Sequence, residues 1–394
     1  MTVDAVVVGG GPAGALTAAL LAKRGRRVVL LERSPAYRWR ACGVFASPAA
    51  VDMLRKAGLE EADIARIARP IPAMRVETAA GTSFRLTYGD DGQFVASAVG
   101  FDRSALDPLL VDMAAASGVV VRLGETVTSV EEGRVMLAGG VSIRAAIIVG
   151  ADGLRSVVAR SFGVDRPARL APRVGLTFHV TDQRPEGRDD ARIVLFDGGY
   201  VGLAPVPGRR VNVGIVLGGP WLERLRREGA EATVGAVLGA VPPAPNDPVD
   251  WSTANRCDSI EGASPLGVRA ERRAGRGWLL VGDAAGFLDP FTGEGLHRAL
   301  TSASLAAAAV NRALDGDAAA LMAYDRAMTA RFRSKDVLSL VVHAFLARPA
   351  LFDHAARRLA ARGRVRETMG LVMGDLVPAS RALDPRYVAA LLRP

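Results

Sequence analysis

The chain opens on an apolar, β-branched run, VDAVVVG, which breaks at the glycine cluster GGGPAG, continues as an Ala/Leu segment and closes on a second β-branched run ending at Glu32. Short apolar runs bounded by glycine predict strands covered on both faces, and the Ala/Leu stretch between them predicts a helix. Residues 3–32 are therefore expected to form strand, turn, helix and strand. A turn-rich stretch follows as far as Ser47-Pro48, then a helix to about Ala57 that Gly58 stops. In MRVETAAGTSFRLTY the period changes to two, which predicts an antiparallel hairpin about its Ala-Gly turn. FDRSALDPLLVDMAAASG is an amphipathic helix ended by Gly118, and 119–150 holds several short strands, the last an apolar run directed into a core.

Between 167 and 265 alternation dominates again. PRVGLTFHV, ARIVLFD and GGYVGLAPVPGRRVNVGIVLGG predict strands, with a Pro-Gly turn in the last hairpin, and WLERLRREGAEATVGAVLGAV predicts a helix. GWLLVGDAAGFLDPFTGEGLHRAL is a buried strand, a glycine-rich loop and the start of a long Ala-rich helix. Amphipathic helices fill the rest and are expected to cap the nucleotide-binding part. The expected fold is α/β (α+β overall). A Rossmann-type domain would be assembled from 1–68, 102–166 and 266–335, an interleaved antiparallel β-sheet substrate domain from 69–101 and 167–265, and a helical C-terminal cap from 336–394.

Composition narrows the class further. At 394 residues, 49% hydrophobic and 23% charged, the chain is an ordinary globular enzyme of two or three subdomains rather than a disordered one. Its net charge of +9 is scattered and almost all arginine, so no polybasic arm is present and no nucleic-acid partner is expected. Cys42 and Cys257 make neither a disulfide framework nor a metal spacing, which fits a reducing cytoplasm. The uncharged run 5–22 approaches the length of a membrane span, but GGGP interrupts it and no basic segment precedes it. Contact of the C-terminal amphipathic helices with the inner membrane surface is the one membrane role left open.

The opening stretch has the order a dinucleotide site requires. Gly9 permits a tight turn, Gly11 lets the backbone approach a pyrophosphate, and Gly14 lets the helix pack against the strand. Pro12 and Ala13 begin that helix, whose unpaired N–H groups and dipole form an anion site. Glu32 stands where a carboxylate accepts both ribose hydroxyls, and it would repel a 2′-phosphate, which selects the AMP half of FAD or NAD over NADP. Later, Gly282 and Asp283 follow a buried strand at the end where ligands bind, so Asp283 either holds a ribityl or ribose hydroxyl or merely caps a turn. Gly293 and Gly295 open a helix whose dipole would stabilise negative charge on a ring. In IIVGADGLRSVVAR, Asp152 and Gly153 also follow a core strand, and Asp152 is either an Asx-turn residue or a cofactor contact.

Taken in chain order, GGGPAG, ADGLRS and GDAAGFLDPFTGEG resemble the FAD-dependent family typified by para-hydroxybenzoate hydroxylase, over most of residues 1–315. The resemblance implies an extended FAD, with Glu32 on the AMP ribose, Arg103 and Asp283 near the pyrophosphate and ribityl, and Gly293, Gly295 and Leu296 near the isoalloxazine. Arg33, Arg40, Cys42, Gly43, Val127, Ala151, Asp152, Gly153, Gly282 and Pro290 would be further cofactor contacts. NAD(P)H would be a transient electron donor without a Rossmann site of its own. RACGVFASPAA, TGEGLHRAL and YVGLAPVPGRRVNVGI are similar to blocks of the geranylgeranyl reductase branch, although Gly202 and Leu203 stand where that branch carries an aromatic. Cys42 would then lie beside the flavin, either as a chemical thiol tuned by Arg38 and Arg40 or as a small buried hydrophobe. His297 either faces the cofactor, packs or is solvated, and Phe178 and Tyr200 are expected to line an apolar cavity, a pattern that core packing would also leave.

The function this resemblance implies is FAD-dependent reduction of carbon–carbon double bonds in a hydrophobic small molecule, isoprenoid-like or polyketide-like. The competing readings are an FAD monooxygenase of a hydrophobic or aromatic substrate, and a prenyl-binding protein of the same fold without catalysis.

Overall fold

The apolar runs at the start of the chain pair side by side, as strands without a polar face must. In the computed structural model, which describes residues 2–37, 39, 43–89, 96–168, 171–184, 189–243 and 249–393, they form the centre of a mainly parallel sheet. Its order is Ala274–Gly275, Trp278–Leu280, Ser142–Gly150, Thr2–Val8, Val28–Glu32 and Val120–Leu123, with the hairpin Val127–Glu131 and Arg134–Leu137 added on Ser142–Gly150. Eleven helices accompany the strands among the described residues: α1 Pro12–Ala22, α2 Pro48–Ala57, α3 Glu61–Ile67, α4 Arg103–Ala116, α5 Val157–Ser161, α6 Pro220–Gly239, α7 Gly295–Leu314, α8 Ala320–Leu346, α9 Pro349–Ala361, α10 Gly363–Met373 and α11 Pro385–Leu392. One face of the parallel sheet is buried under α1, α4 and α7, and the other under the added hairpin and α5.

The alternating segments build a second sheet, in the order Glu261–Leu266, Arg173–Thr181, Arg210–Gly218, Gly199–Val206, Ala191–Phe196, Ala73–Glu77 and Ser83–Thr87. All its pairs are antiparallel except Ala191–Phe196 with Ala73–Glu77. That parallel pair is pinned by a buried bidentate ion pair, Arg192 Nε to Glu77 Oε1 and Nη2 to Oε2, both at 2.7 Å. Side chains alternate across the sheet: Phe178, Val201 and Val213 pack on α6, while Val76, Phe84, Ile193 and Tyr200 face α8 to α11. The C-terminal helices thus cover the antiparallel sheet instead of simply capping the nucleotide half, because that sheet's second apolar face needs a cover. Helix α6 bends at Gly229 (φ 81°), a break the apolar pattern did not predict. A third, small sheet of Phe45–Ala46, Ala98–Phe101 and Ala68–Ile71 touches the large one backbone to backbone, since a Cβ on Gly100 would fall 1.9 Å from the Pro205 oxygen.

Candidate active site

The glycine turn is locked to the middle motif by contacts that no side chain would survive. A Cβ on Gly9 (φ 108°) would lie 2.3 Å from the Ala151 oxygen, and one on Gly14 would lie 1.9 Å from the Gly9 oxygen and 3.0 Å from Ala151 Cβ. Ala151 N–H donates to the Val8 oxygen at 2.7 Å, so ADGLRS begins where GGGPAG begins. Gly11 is the opposite case, with no atom within 4 Å of its would-be Cβ. That open flank lies at the start of α1, where unpaired N–H groups collect. Glu32 is buried beside it, accepting from Gly10 N–H and Ser34 N–H, each at 2.9 Å. Tyr37 Oη donates to the Gly10 oxygen at 3.2 Å, and Glu125 N–H donates to the Glu32 oxygen at 3.0 Å. Val127 follows with its side chain sunk in the core, and Arg33 is exposed.

The third motif converges on the same corner. A Cβ on Gly282 (φ 58°) would lie 2.9 Å from Ala13 Cβ, and its N–H donates to Ser302 Oγ at 2.9 Å. Asp283 lies in the first turn of the short helix Gly282–Ala285, and burial raises its carboxyl above the ordinary range against the pull of Arg103 and Arg298. Arg103 is braced by Asp107 (2.8 and 3.1 Å) and donates to the Gly43 oxygen at 3.1 Å. Asp152 is bonded to the chain that follows it. Its Oδ2 accepts from Val157 N–H at 2.6 Å and so helps start α5, while Oδ1 is buried without a partner. Burial also raises its pKa. Gly153 (φ 76°) turns the chain away behind it.

Pro290 opens a short turn, Pro290–Thr292, that Asp289 caps through Phe291 N–H at 2.9 Å. Gly293 (φ 65°) then brings the backbone against Phe45, whose Cδ1 would be 2.7 Å from an added Cβ. Gly295 begins α7 with nothing within 4 Å of its would-be Cβ, and Leu296 is buried in the core behind it. From Phe45 and Gly293 an apolar cavity of about 250 Å³ runs between the antiparallel sheet and the C-terminal helices. Met74, Val76 and Ile193 form one wall, and Leu338, Ala356 and Met369 the other.

A family model described as an FAD binding domain matches residues 2–334. The chain belongs to this FAD-binding-domain family. Among its relatives, the menaquinone reductase of Mycolicibacterium smegmatis is 29% identical over 325 residues, covering 77% of this chain and 75% of that protein. Digeranylgeranylglycerophospholipid reductase 2 of Methanopyrus kandleri is 30% identical over 342 residues, 80% of this chain and 79% of that one. The crystal structure of a flavoprotein/dehydrogenase from Cytophaga hutchinsonii matches with a TM-score of 0.82 at 20% identity, over 97% of this chain and 95% of that one, and shares the fold. The protein is an FAD-dependent oxidoreductase, and its resemblance to the geranylgeranyl reductase branch is borne out.

The flavoprotein's own residues suit that cofactor. The helix starts beside Gly11 and Gly295 are open to an approaching ligand, and the unpartnered Asp152 Oδ1 and the half-buried Asp283 offer acceptors for hydroxyl groups. Other expectations are corrected. Neither Phe178 nor Tyr200 lines the cavity: strand alternation turns Phe178 to the α6 face, and Tyr200 donates instead to Asp289 at 2.6 Å, behind Phe291. For His297 the packing alternative holds, its Nδ1 3.3 Å from Asp375 Oδ2 and its ring edge-on to Phe332. Arg38, Arg40 and Cys42 lie outside the described residues. Between them Trp39 meets His179 edge-on at 4.1 Å, and His179 Nδ1 pairs with Asp258 Oδ2 at 2.6 Å. This dyad escaped sequence reasoning, since its members are 79 residues apart; the two-residue period of TFHV was the available hint.

Proposed function

We propose that this flavoprotein reduces carbon–carbon double bonds in a long isoprenoid-like chain. The apolar cavity that starts at Gly293 and Phe45 carries this reading, because only a ligand without polar groups along its length is at home there. The names of the relatives, reductases of a digeranylgeranyl lipid and of menaquinone, point the same way. When bound and reduced, FAD supplies a hydride to the double bond.

The chain's residues take the following roles in this reading. Gly9, Gly11, Pro12, Ala13 and Gly14 receive the pyrophosphate, and Glu32 the AMP ribose. Arg103 and Asp283 lie along the phosphates and ribityl, and Gly293, Gly295 and Leu296 along the flavin ring. Arg33, Arg40, Gly43, Val127, Ala151, Asp152, Gly153, Gly282 and Pro290 complete the cofactor's surroundings. Cys42 is the proposed proton source, with water as the alternative. NAD(P)H is the proposed donor, and the cytoplasm, where thiols stay reduced, the proposed setting.

The test is a single turnover of chemically reduced, FAD-loaded enzyme with a polyprenyl quinone or polyprenyl lipid under strict anaerobiosis, read by mass spectrometry. Product heavier by two hydrogens is expected. Turnover only when oxygen is admitted, with an oxygenated product, would replace the proposal with a monooxygenase. Cys42→Ser should keep FAD and lose turnover; unimpaired turnover removes the thiol from the chemistry.

A further inference from the structure

The cavity's outer end carries a surface that the reaction leaves unexplained. Nine large apolar side chains are exposed among the described residues, and five of them, Val337, Leu340, Val341, Val388 and Leu392, crowd onto α8 and α11. Val341, Val388 and Leu392 also line the cavity, so the patch is its mouth. On α8 the solvent face is the inverse of what a surface helix shows: Val337, Leu340, Val341 and Ala344 lie outward, with exposed Arg333 and Arg348 at either end.

Charge is distributed to match. Residues 331–393 hold twelve Lys/Arg against five Asp/Glu, so +7 of the net +9 belongs to this region and the rest of the chain is almost neutral. An apolar strip between arginines on a basic, amphipathic cover is the composition that settles into the headgroup boundary of an anionic bilayer. No single described helix is long and apolar enough to cross a membrane; α8 and α9 reach that length and composition only together, bent by 115° at their junction, and their inner faces are taken up by the antiparallel sheet, which favours lying on the surface as the mode.

We propose that α8 and α11 dock this protein on an anionic lipid bilayer with the cavity mouth facing the acyl region. A long apolar chain then passes from lipid into the cavity without crossing water, an exposure costing about 0.8 kcal/mol per CH₂. The loading step rests on the proposed reaction; the docking face does not.

FAD-loaded protein is mixed at low salt with vesicles of phosphatidylcholine or of phosphatidylcholine and phosphatidylglycerol, and the pelleted fraction is measured. Wild type should pellet with the anionic vesicles and be released by salt. Val337→Asp/Leu340→Asp, outside the cavity wall, should weaken binding about tenfold or more, and Arg333→Gln/Arg348→Gln by about fivefold for each arginine. Both variants should keep wild-type FAD content, melting temperature and anaerobic turnover of a short soluble prenyl substrate. Failure to pellet, or wild-type binding by Val337→Asp/Leu340→Asp, overturns the docking face. So does a wild-type dimer that the same substitutions dissociate, since a second copy would then cover the patch. Vesicle binding without reduction of any double bond refutes the proposed reaction and leaves the docking face standing.

Discussion

Lys335 is buried against Asp375, its Nζ donating to Oδ1 at 2.7 Å and to the Val372 oxygen at 2.9 Å. Burial works against the ionised carboxyl, but Lys335 and His297 hold Asp375 well below the usual carboxylate range. The pair fastens α8 to the end of α10, and His297 extends the contact to α7, which begins two residues after Gly293 in the cavity wall. Helices that close the cavity are thereby tied to the helix that follows the Gly293 turn.

Removing one member strands the other's charge in a dry site. Lys335→Met should therefore cost about 3–5 kcal/mol in guanidinium unfolding of the FAD-loaded protein. Adding Asp375→Asn should recover much of that loss, because both charges are then gone and Asn tolerates the left-handed backbone at 375 (φ 57°). A double variant no more stable than Lys335→Met would mean that packing, not charge, accounts for the loss.

Two glycines three residues apart separate folding from cofactor binding. Gly14→Ala pushes a methyl to 1.9 Å from the Gly9 oxygen, and it should destabilise the apoprotein by several kcal/mol on the scale of a severe core overpacking. Gly11→Ala meets nothing within 4 Å, so the apoprotein should melt as wild type does. Its methyl should nevertheless block the backbone's approach to a pyrophosphate, and flavin absorbance should be lost on gel filtration. Retention of FAD by Gly11→Ala would move the phosphates away from this turn.

The parts of the fold that announce themselves in the sequence are those where local periodicity and tertiary need agree. Residues 2–32 form strand, glycine turn, helix and strand because apolar runs, Pro12 and the glycines all favour that outcome. Likewise 73–87 is the hairpin its alternation predicts, and Ser47 and Gly58 bound α2 as cap and left-handed stop. What alternation alone cannot give is which face meets which partner. Phe178 and Tyr200 are both inward-looking strand residues, yet one packs on α6 and the other reaches Asp289, a choice made by strands and helices far away in sequence. The His179 and Asp258 pair and the Lys335 and Asp375 pair are long-range for the same reason.

Acid should weaken the fold through buried histidines. Burial holds His179 and His343 below the ordinary imidazole value of 6.5, in each case against an aspartate, Asp258 or Asp289, that pulls the other way. Both are thus neutral in the folded chain at neutral pH. As pH drops below 6.5 the unfolded chain takes up protons that the folded chain refuses, so stability is complete above 6.5 and declines below it. The slope approaches about 1.4 kcal/mol per pH unit for each histidine. Unfolding midpoints taken between about pH 7.5 and 5 should show this decline, and His343→Gln should flatten it. An unchanged slope in His343→Gln would assign the acid sensitivity to other groups.

Under the proposed reaction, the cavity predicts how substrate chain length is sensed. Phe352 on α9 lies 6.2 Å from Phe291 at the inner end, and Ala356, one helical turn further along, is buried in the cavity wall. Ala356→Phe would project a ring into a space of about 250 Å³ beyond the reacting end. Long substrates should then suffer a KM increase of about tenfold, the equivalent of one or two displaced CH₂ groups, while a substrate of one or two isoprene units keeps its kcat and KM. FAD content should not change, because the substituted wall is formed by α9 and not by the glycine motifs. Equal losses for short and long substrates would show that the chain does not extend along α9, and would send the search for its tail to another face of the antiparallel sheet.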